Sequence, residues 1–328
     1  MLDDPGLDST EIHDELNRSY AVSARSMHFI RSYEPDAASY EMDAADGRYF
    51  LKVRFGAVDE PSLEVPRALL EAGVPNILAP IRTNASSLTS PMGDARLVLY
   101  PFVSGRSAMV AGMTDDEWRT FGATLRAVHD SGLERTFGGR LPTDSFALPS
   151  AGSVRKVLGQ EPAVESGAAA ELHRFFGAQR ERVGEMLERA EELGEILRKR
   201  HLPKVLCHAD IHAANILVAE AGGIFLVDWD GPMIAPRERD LLFVIGSRIA
   251  RDVTASEETL FFGGYGEVEV DREAIVYYRY ERILEDIAVD AASVLTDPTT
   301  AESTRQAQVD MIAGFFAPGG MLETAESA

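Results

Sequence analysis

The sequence predicts an α+β protein of two lobes, with a mainly antiparallel sheet in the N-terminal third and a mainly helical remainder. Residues 26–33, 39–44, 48–54 and 96–100 are short runs in which apolar and polar side chains alternate, with aromatics among them, the two-residue period of half-buried strands. From Thr114 the period lengthens to that of a helix. Thr114-Asp-Asp-Glu117 reads as a capping box, followed at helical spacing by Trp118, Phe121, Leu125 and Val128. The 328 residues are enough for a large core split between two lobes.

In chain order, residues 8–18 read as a short capped helix, with Ile12 and Leu16 on one face. The turn Glu34-Pro-Asp-Ala-Ala38 contains no glycine and separates the first two strands. After the Asp46-Gly47 turn, Lys52 sits among apolar neighbours on the third strand, which from position alone suits a surface lysine on an edge strand as well as a buried one. The next helix is expected to start near Leu63 to Val65, because Pro66 is tolerated best in a first turn. Ile77 to Ile81 and Arg96 to Tyr100 read as strands, and residues 137–154 as a loop. Residues 166–200 read as a solvated helical hairpin, with Glu and Arg repeatedly three or four apart. Residues 241–250 and 256–263 look helical, and Gly263-Gly264-Tyr-Gly266 is expected to break the chain. Asp271 to Leu295 is the last long helix, and the final dozen residues are expected to fray.

Composition narrows the function. Hydrophobic content of 45% and charged content of 26% are ordinary for a water-soluble globular protein, whereas a net charge of −21 is not. Such a charge disfavours nucleic acid, whose phosphates need a basic surface. It suits a cationic small molecule, or serves solubility alone. The single cysteine, Cys207, leaves no internal disulfide and reads as a packed thiol. With no apolar leader and no run of 18 or more apolar residues, a cytoplasmic, membrane-free protein is expected.

The chemistry concentrates in residues 205–230, Val-Leu-Cys-His-Ala-Asp-Ile-His-Ala-Ala-Asn-Ile-Leu-Val-Ala-Glu-Ala-Gly-Gly-Ile-Phe-Leu-Val-Asp-Trp-Asp. Two apolar runs joined by Gly222-Gly223 read as a hairpin that sets Asn215 beside Asp228, with Asp210 in the loop feeding it. Two carboxylates and an amide in one place suit phosphoryl transfer. Mg²⁺ takes hard oxygen ligands, for which Asn215 and Asp228 are candidates. An attacking hydroxyl needs a nearby carboxylate to take its proton late, for which Asp210 is the candidate. His208 and His212 flank that residue, a spacing that on its own could also suit a metal site.

His208-x-Asp210-x-x-x-x-Asn215, with Asp228 after an apolar strand, resembles the catalytic and metal loops of the aminoglycoside phosphotransferase and choline kinase family, small-molecule relatives of protein kinases. Ala209 and Trp229-Asp230 depart from the protein-kinase pattern and argue against a protein substrate. Arg237-Glu-Arg-Asp240-Leu-Leu resembles that family's continuation, with Asp240 pinning the loop through backbone N–H groups. Phe121-Gly122-x-x-Leu125-x-x-x-His129 also matches, with His129 structural.

The resemblance implies a protein-kinase-like fold with an N-lobe of residues 1–100, a C-lobe of 101–328 and a hinge at about 100–105. It implies ATP and Mg²⁺ as cofactors. Lys52 is then the ATP-phosphate lysine, with Glu64 as the carboxylate that holds it and Glu60 and Glu71 as alternatives. Tyr100, Phe102 and Val103 face adenine at the hinge. Asp230, Glu281, Glu285 and Tyr278 are candidate substrate residues, since C-terminal helices of such enzymes build acidic pockets for amine-bearing substrates. The overall resemblance, which includes the Glu64-Val-Pro-Arg67 stretch, implies a cationic aminocyclitol, spectinomycin, as phosphoryl acceptor. Another aminoglycoside, choline or a sugar is the first alternative, and a non-catalytic nucleotide-binding regulator the second.

Overall fold

The computed structural model describes residues 4–31, 36–160, 166–297 and 300–326. Helix α1 (Ser9–Tyr20) is capped by Asp8, whose side chain accepts from Thr10 N–H. Strands β1 (Ala24–Ile30), β2 (Ala37–Ala44) and β3 (Arg48–Phe55) lead to helix α2 (Glu60–Glu71), and β4 (Ser90–Met92) and β5 (Ala95–Pro101) complete an antiparallel sheet of order β1-β2-β3-β5-β4. Lys52 therefore lies on the central strand, between Ser39 and Val98, not on an edge. Of the turn predicted over Glu34 to Ala38, Glu34 and Pro35 lie outside the described residues, and Ala37 already belongs to β2.

After β5 the chain forms β6 (Gly105–Ser107), the short α3 (Ala108–Ala111), and α4 (Asp115–His129) with the full Thr114–Glu117 capping box. Helices α5 (Ala151–Leu158) and α6 (Gly167–Arg198) follow. Strand β7 (Lys204–Cys207) pairs with β10 (Met233–Pro236), and β8 (Ile216–Ala219) and β9 (Ile224–Leu226) form the predicted hairpin, to which β6 adds a third strand. Helices α7 (Glu238–Leu241), α8 (Ala255–Tyr265), α9 (Arg272–Thr296), α10 (Glu302–Phe315) and α11 (Met321–Glu326) close the chain.

Several sequence expectations are corrected. The predicted hairpin over 166–200 is instead one helix of 32 residues, Gly167–Arg198, because Ala168, Leu172, Phe176, Val183, Leu187, Ala190 and Leu197 keep a continuous buried stripe. Residues 77–81 form no strand beyond one bridge from Ile77 to Leu226. Residues 242–246 are turns after the short α7. Gly263 and Gly264 lie inside α8, which ends only at Gly266. Within the segment expected to fray, α11 is docked: its Leu322 and Ala325 are buried.

Two apolar clusters organise the molecule. The smaller joins α1 to the five-stranded sheet, through Ile12, Leu16, Met42, Leu51, Val53, Leu97 and Leu99. The larger holds the helices and hairpin, and takes in Val65 and Leu69 of α2. Helices α4 and α8 cross at backbone contact: a Cβ on Gly122 would lie 2.0 Å from the Phe261 carbonyl oxygen, and one on Gly264 would lie 1.8 Å from that of Arg119. No helix among the described residues is long and apolar enough to cross a membrane.

Candidate active site

A cavity of about 320 Å³ lies between the sheet and the hairpin. Phe50, Lys52 and Arg54 of β3 form one wall, Tyr100 to Val103 the back, and Leu217, Val227, Asp228, Trp229 and Asp230 the floor. Alternation along β3 explains the first wall, since residues 50, 52 and 54 share a face. The structure thus gathers Lys52, Tyr100, Phe102, Val103, Asp228 and Asp230 around one space. At its back Phe102 N–H is committed to the Arg48 carbonyl at 3.2 Å, and the Arg48 guanidinium stacks on the Phe102 ring at 4.1 Å.

The hairpin sets the remaining groups. Val227 N–H donates to Asn215 O at 3.1 Å, so Asn215 and Asp228 end neighbouring strands as expected. Asn215 Nδ2 donates to the Asp210 carbonyl at 2.8 Å, which ties the loop to the hairpin. Ala209 (φ 70°) and Asp228 (φ 64°) both adopt left-handed backbone. Residues with a Cβ occupy that region at a cost of about 1–2 kcal/mol, and such strain concentrates where side chains are held for use.

The strained loop is held from beneath by Asp240, which is fully buried. Its oxygens accept from His208 N–H at 2.9 Å, Ala209 N–H at 2.7 Å and His129 Nε2 at 3.0 Å. Burial works to raise the Asp240 carboxyl, but His129 and these donors outweigh it and hold it below its ordinary value. His129 Nδ1 contacts the Tyr265 hydroxyl at 2.7 Å, and His208 Nε2 the Val227 carbonyl at 2.9 Å. His129 and His208 are therefore braces, as expected. Cys207 is buried beneath them, and desolvation pushes its thiol well up.

The Asp210 carboxylate is bracketed by two donors. Arg282 Nη1 of α9 approaches Oδ1 at 2.6 Å, and His212 Nε2 lies 3.4 Å from Oδ2. His212 Nδ1 accepts from Ala214 N–H at 3.2 Å, which places its proton on Nε2, facing the carboxylate. Burial works to raise Asp210, but His212 and Arg282 together pull it down to about 2.

Five expected residues are placed differently. Glu64 does not line the cavity and pairs with Arg140 instead. The cause is register: α2 starts at Glu60, before Pro61, so Ser62 and Pro66 face the cavity, and Pro66 sits inside the helix. The alternatives fare no better, since Glu71 binds Arg67 and Arg82, and Glu60 lines an outer groove. Asp230 reaches from the cavity floor toward the sheet, 2.7 Å from Arg54 and 4.0 Å from Lys52 Nζ. Tyr278 is fully buried and donates to Asp144 at 2.5 Å, so it walls no pocket. Glu281 is bound to Arg239, which lies over the Tyr278 ring, and Glu285 is exposed 4.0 Å from the same guanidinium. Sequence reasoning missed Arg54 and Arg282; the two-residue spacing from Lys52 signals the first, and no local signal marks the second.

A lysine on the central strand facing an aspartate at the open end of a hairpin, across a cavity closed by the strand leaving the sheet, is the arrangement of a phosphotransferase with a kinase-like fold. The chain belongs to the phosphotransferase enzyme family, whose model matches residues 34–276. It is similar to spectinomycin phosphotransferase: the crystal structure of that enzyme with ADP and spectinomycin is 27% identical, with a TM-score of 0.87 and 98% of each chain covered. An aminoglycoside phosphotransferase from Alicyclobacillus acidocaldarius shares the fold at 14% identity, with a TM-score of 0.65 and coverage of 99% of this chain and 95% of that one. Protein StrN of Streptomyces griseus is 28% identical over 186 residues, which is 54% of this chain, and the match spans 57% of that relative's length.

Proposed function

We propose that the protein phosphorylates a hydroxyl of an aminocyclitol, spectinomycin being the first candidate, with ATP as donor. The observation that carries this reading is the single cavity shared by Lys52, the Tyr100–Val103 segment and Asp228. Whole-chain similarity to a spectinomycin phosphotransferase supports the acceptor, and the net charge of −21 suits a cationic one.

The residues present fit both cofactors. Apolar Phe50, Pro66, Leu78, Leu217 and Val227 suit a purine, and Lys52 and Arg54 suit its phosphates. Asn215 spends its amide nitrogen on the Asp210 carbonyl, which leaves the amide oxygen as the ligand atom, a hard donor beside the Asp228 carboxylate. Asn215 and Asp228 would hold Mg²⁺, which when bound neutralises phosphate charge. Lys52 orients the phosphates, and the backbone around Val103 contacts the base. Asp210, held ionised, orients the acceptor hydroxyl and takes its proton late, so catalysis rests on positioning more than on basicity.

ATP consumption across spectinomycin, other aminoglycosides, choline and sugars tests this. Spectinomycin-dependent turnover that disappears in Asp210→Ala, with ATP binding retained, is expected. Turnover on choline or a sugar instead would replace the acceptor. ATP binding without transfer to any acceptor would favour a nucleotide-binding regulator.

A further inference from the structure

We infer that Arg282 is a positioning residue for the reaction: it fixes the Asp210 carboxylate from α9 and is itself fixed by Asp286. The inference rests on the reading of Asp210 as the acceptor of the hydroxyl proton. Arg282 lies 72 residues from Asp210 in sequence, yet its Nη1 meets Oδ1 at 2.6 Å while its Nε bonds Asp286 at 3.1 Å. Asp286 is one helical turn further along α9, so the guanidinium is stretched between a carboxylate of its own helix and one of the catalytic loop. Both partners of the Arg282–Asp286 pair have side chains only 21% exposed, which shields it from the screening that weakens surface pairs.

The backbone of α9 gives this contact a firm base. Ile283, Leu284 and Ile287 beside Arg282 are fully buried, so the helix cannot roll without exposing them. Asp210 itself sits in a loop with left-handed Ala209 before it and a short helical turn after it, and its side chain is 40% exposed. Such a side chain has rotational freedom unless something outside the loop removes it. His212 limits the Oδ2 side from within the loop, and Arg282 limits the Oδ1 side from the body of the protein. A planar guanidinium does this better than a lysine, because it holds two carboxylates at fixed angles.

The test compares Arg282→Gln, Arg282→Lys and Asp286→Asn with the wild type by steady-state kinetics on ATP and spectinomycin, with Tm measured alongside. For Arg282→Gln, kcat is expected to fall on the order of 10- to 100-fold, the scale of a misoriented catalytic group. Both KM values are expected to stay within about two-fold, the pattern of an interaction that matters mainly in the transition state. Lysine should restore at least several-fold of the loss, and Asp286→Asn should show a smaller fall in kcat. Unchanged kcat in Arg282→Gln, or equal losses in the Gln and Lys variants that track a fall in Tm, would overturn the inference. If Arg282→Gln does not fold, Arg282→Lys and Asp286→Asn decide, and wild-type kcat in both overturns it. Failure of the functional reading is seen separately, as a wild type that phosphorylates no acceptor. The ¹³Cγ resonance of Asp210 then reads the contact without turnover: a shift in Arg282→Gln supports it, and an unmoved resonance refutes it.

Discussion

Glu64 on α2 pairs with Arg140, on the face of the helix turned away from Lys52. Asp230, two residues past Asp228, lies 4.0 Å from Lys52 Nζ and also binds Arg54. Glu64→Gln should therefore leave both kcat and the KM for ATP within about two-fold of wild type, as expected for a group that touches neither the nucleotide site nor Lys52. Lys52→Ala should raise that KM or lower kcat at least ten-fold. Steady-state ATP titration of both variants checks the contrast, and a Glu64→Gln defect comparable to that of Lys52→Ala would contradict it.

Tyr278 is part of the core of the helical region. Its hydroxyl and the Phe146 N–H both donate to Asp144, which is itself buried. Tyr278→Phe leaves that carboxylate short of a donor, so a loss of about 1–3 kcal/mol is expected in urea unfolding. The KM for the acceptor should not move. A raised acceptor KM at unchanged stability would return Tyr278 to the substrate pocket.

Asp240 is the single support for three donors beneath the catalytic loop. Asp240→Ala leaves them buried and unsatisfied, at a cost on the order of 3–5 kcal/mol. Denaturant unfolding or soluble yield would reveal it, and a variant of wild-type stability would show that water replaces the carboxylate.

Glu281 gives a pH dependence of definite sign. Burial, only partly offset by Arg239, raises its carboxyl from 4.5 to about 7. The folded protein therefore binds more protons at Glu281 than the unfolded chain does between about pH 4.5 and 7. This contribution is complete below 4.5 and is lost as pH rises through 7. Asp286, raised to about 6 by burial against the pull of Arg282, acts in the same direction. Tm should fall between pH 5 and pH 8, and Glu281→Gln should flatten that slope even though it weakens the pairing of Arg239. An identical slope in the variant would assign the effect elsewhere.

What was legible in the sequence is what local pattern encodes. His208, Asp210, Asn215 and Asp228 lie within one short stretch whose Gly-Gly turn fixes the register of the hairpin, so their juxtaposition follows from spacing. The Thr114 capping box and the strand bearing Lys52 were readable for the same reason. Helix faces were not. Periodicity tells which residues share a face but not what covers that face, so it makes Tyr278 a substrate candidate as readily as a core residue, and α9 is covered on several sides by α5, α6, α10 and α11. The position of Glu64 is not legible because the sequence offers two first-turn prolines, and Pro61, not Pro66, fills that role. Arg282 was invisible because its partner is set by tertiary packing alone.

The glycine crossing of α4 and α8 has a mechanical corollary. With Gly122 and Gly264 set against opposing carbonyls, no layer of side chains separates the two helices there, and hence no alternative notches exist into which one could ratchet past the other. His129 rides on the first helix and Tyr265 on the second, and they touch. Whatever reaches Asp240 from that side must arrive as a tilt of the whole pair. The amides on either side of the crossing should then exchange with deuterium as one block, and slowly.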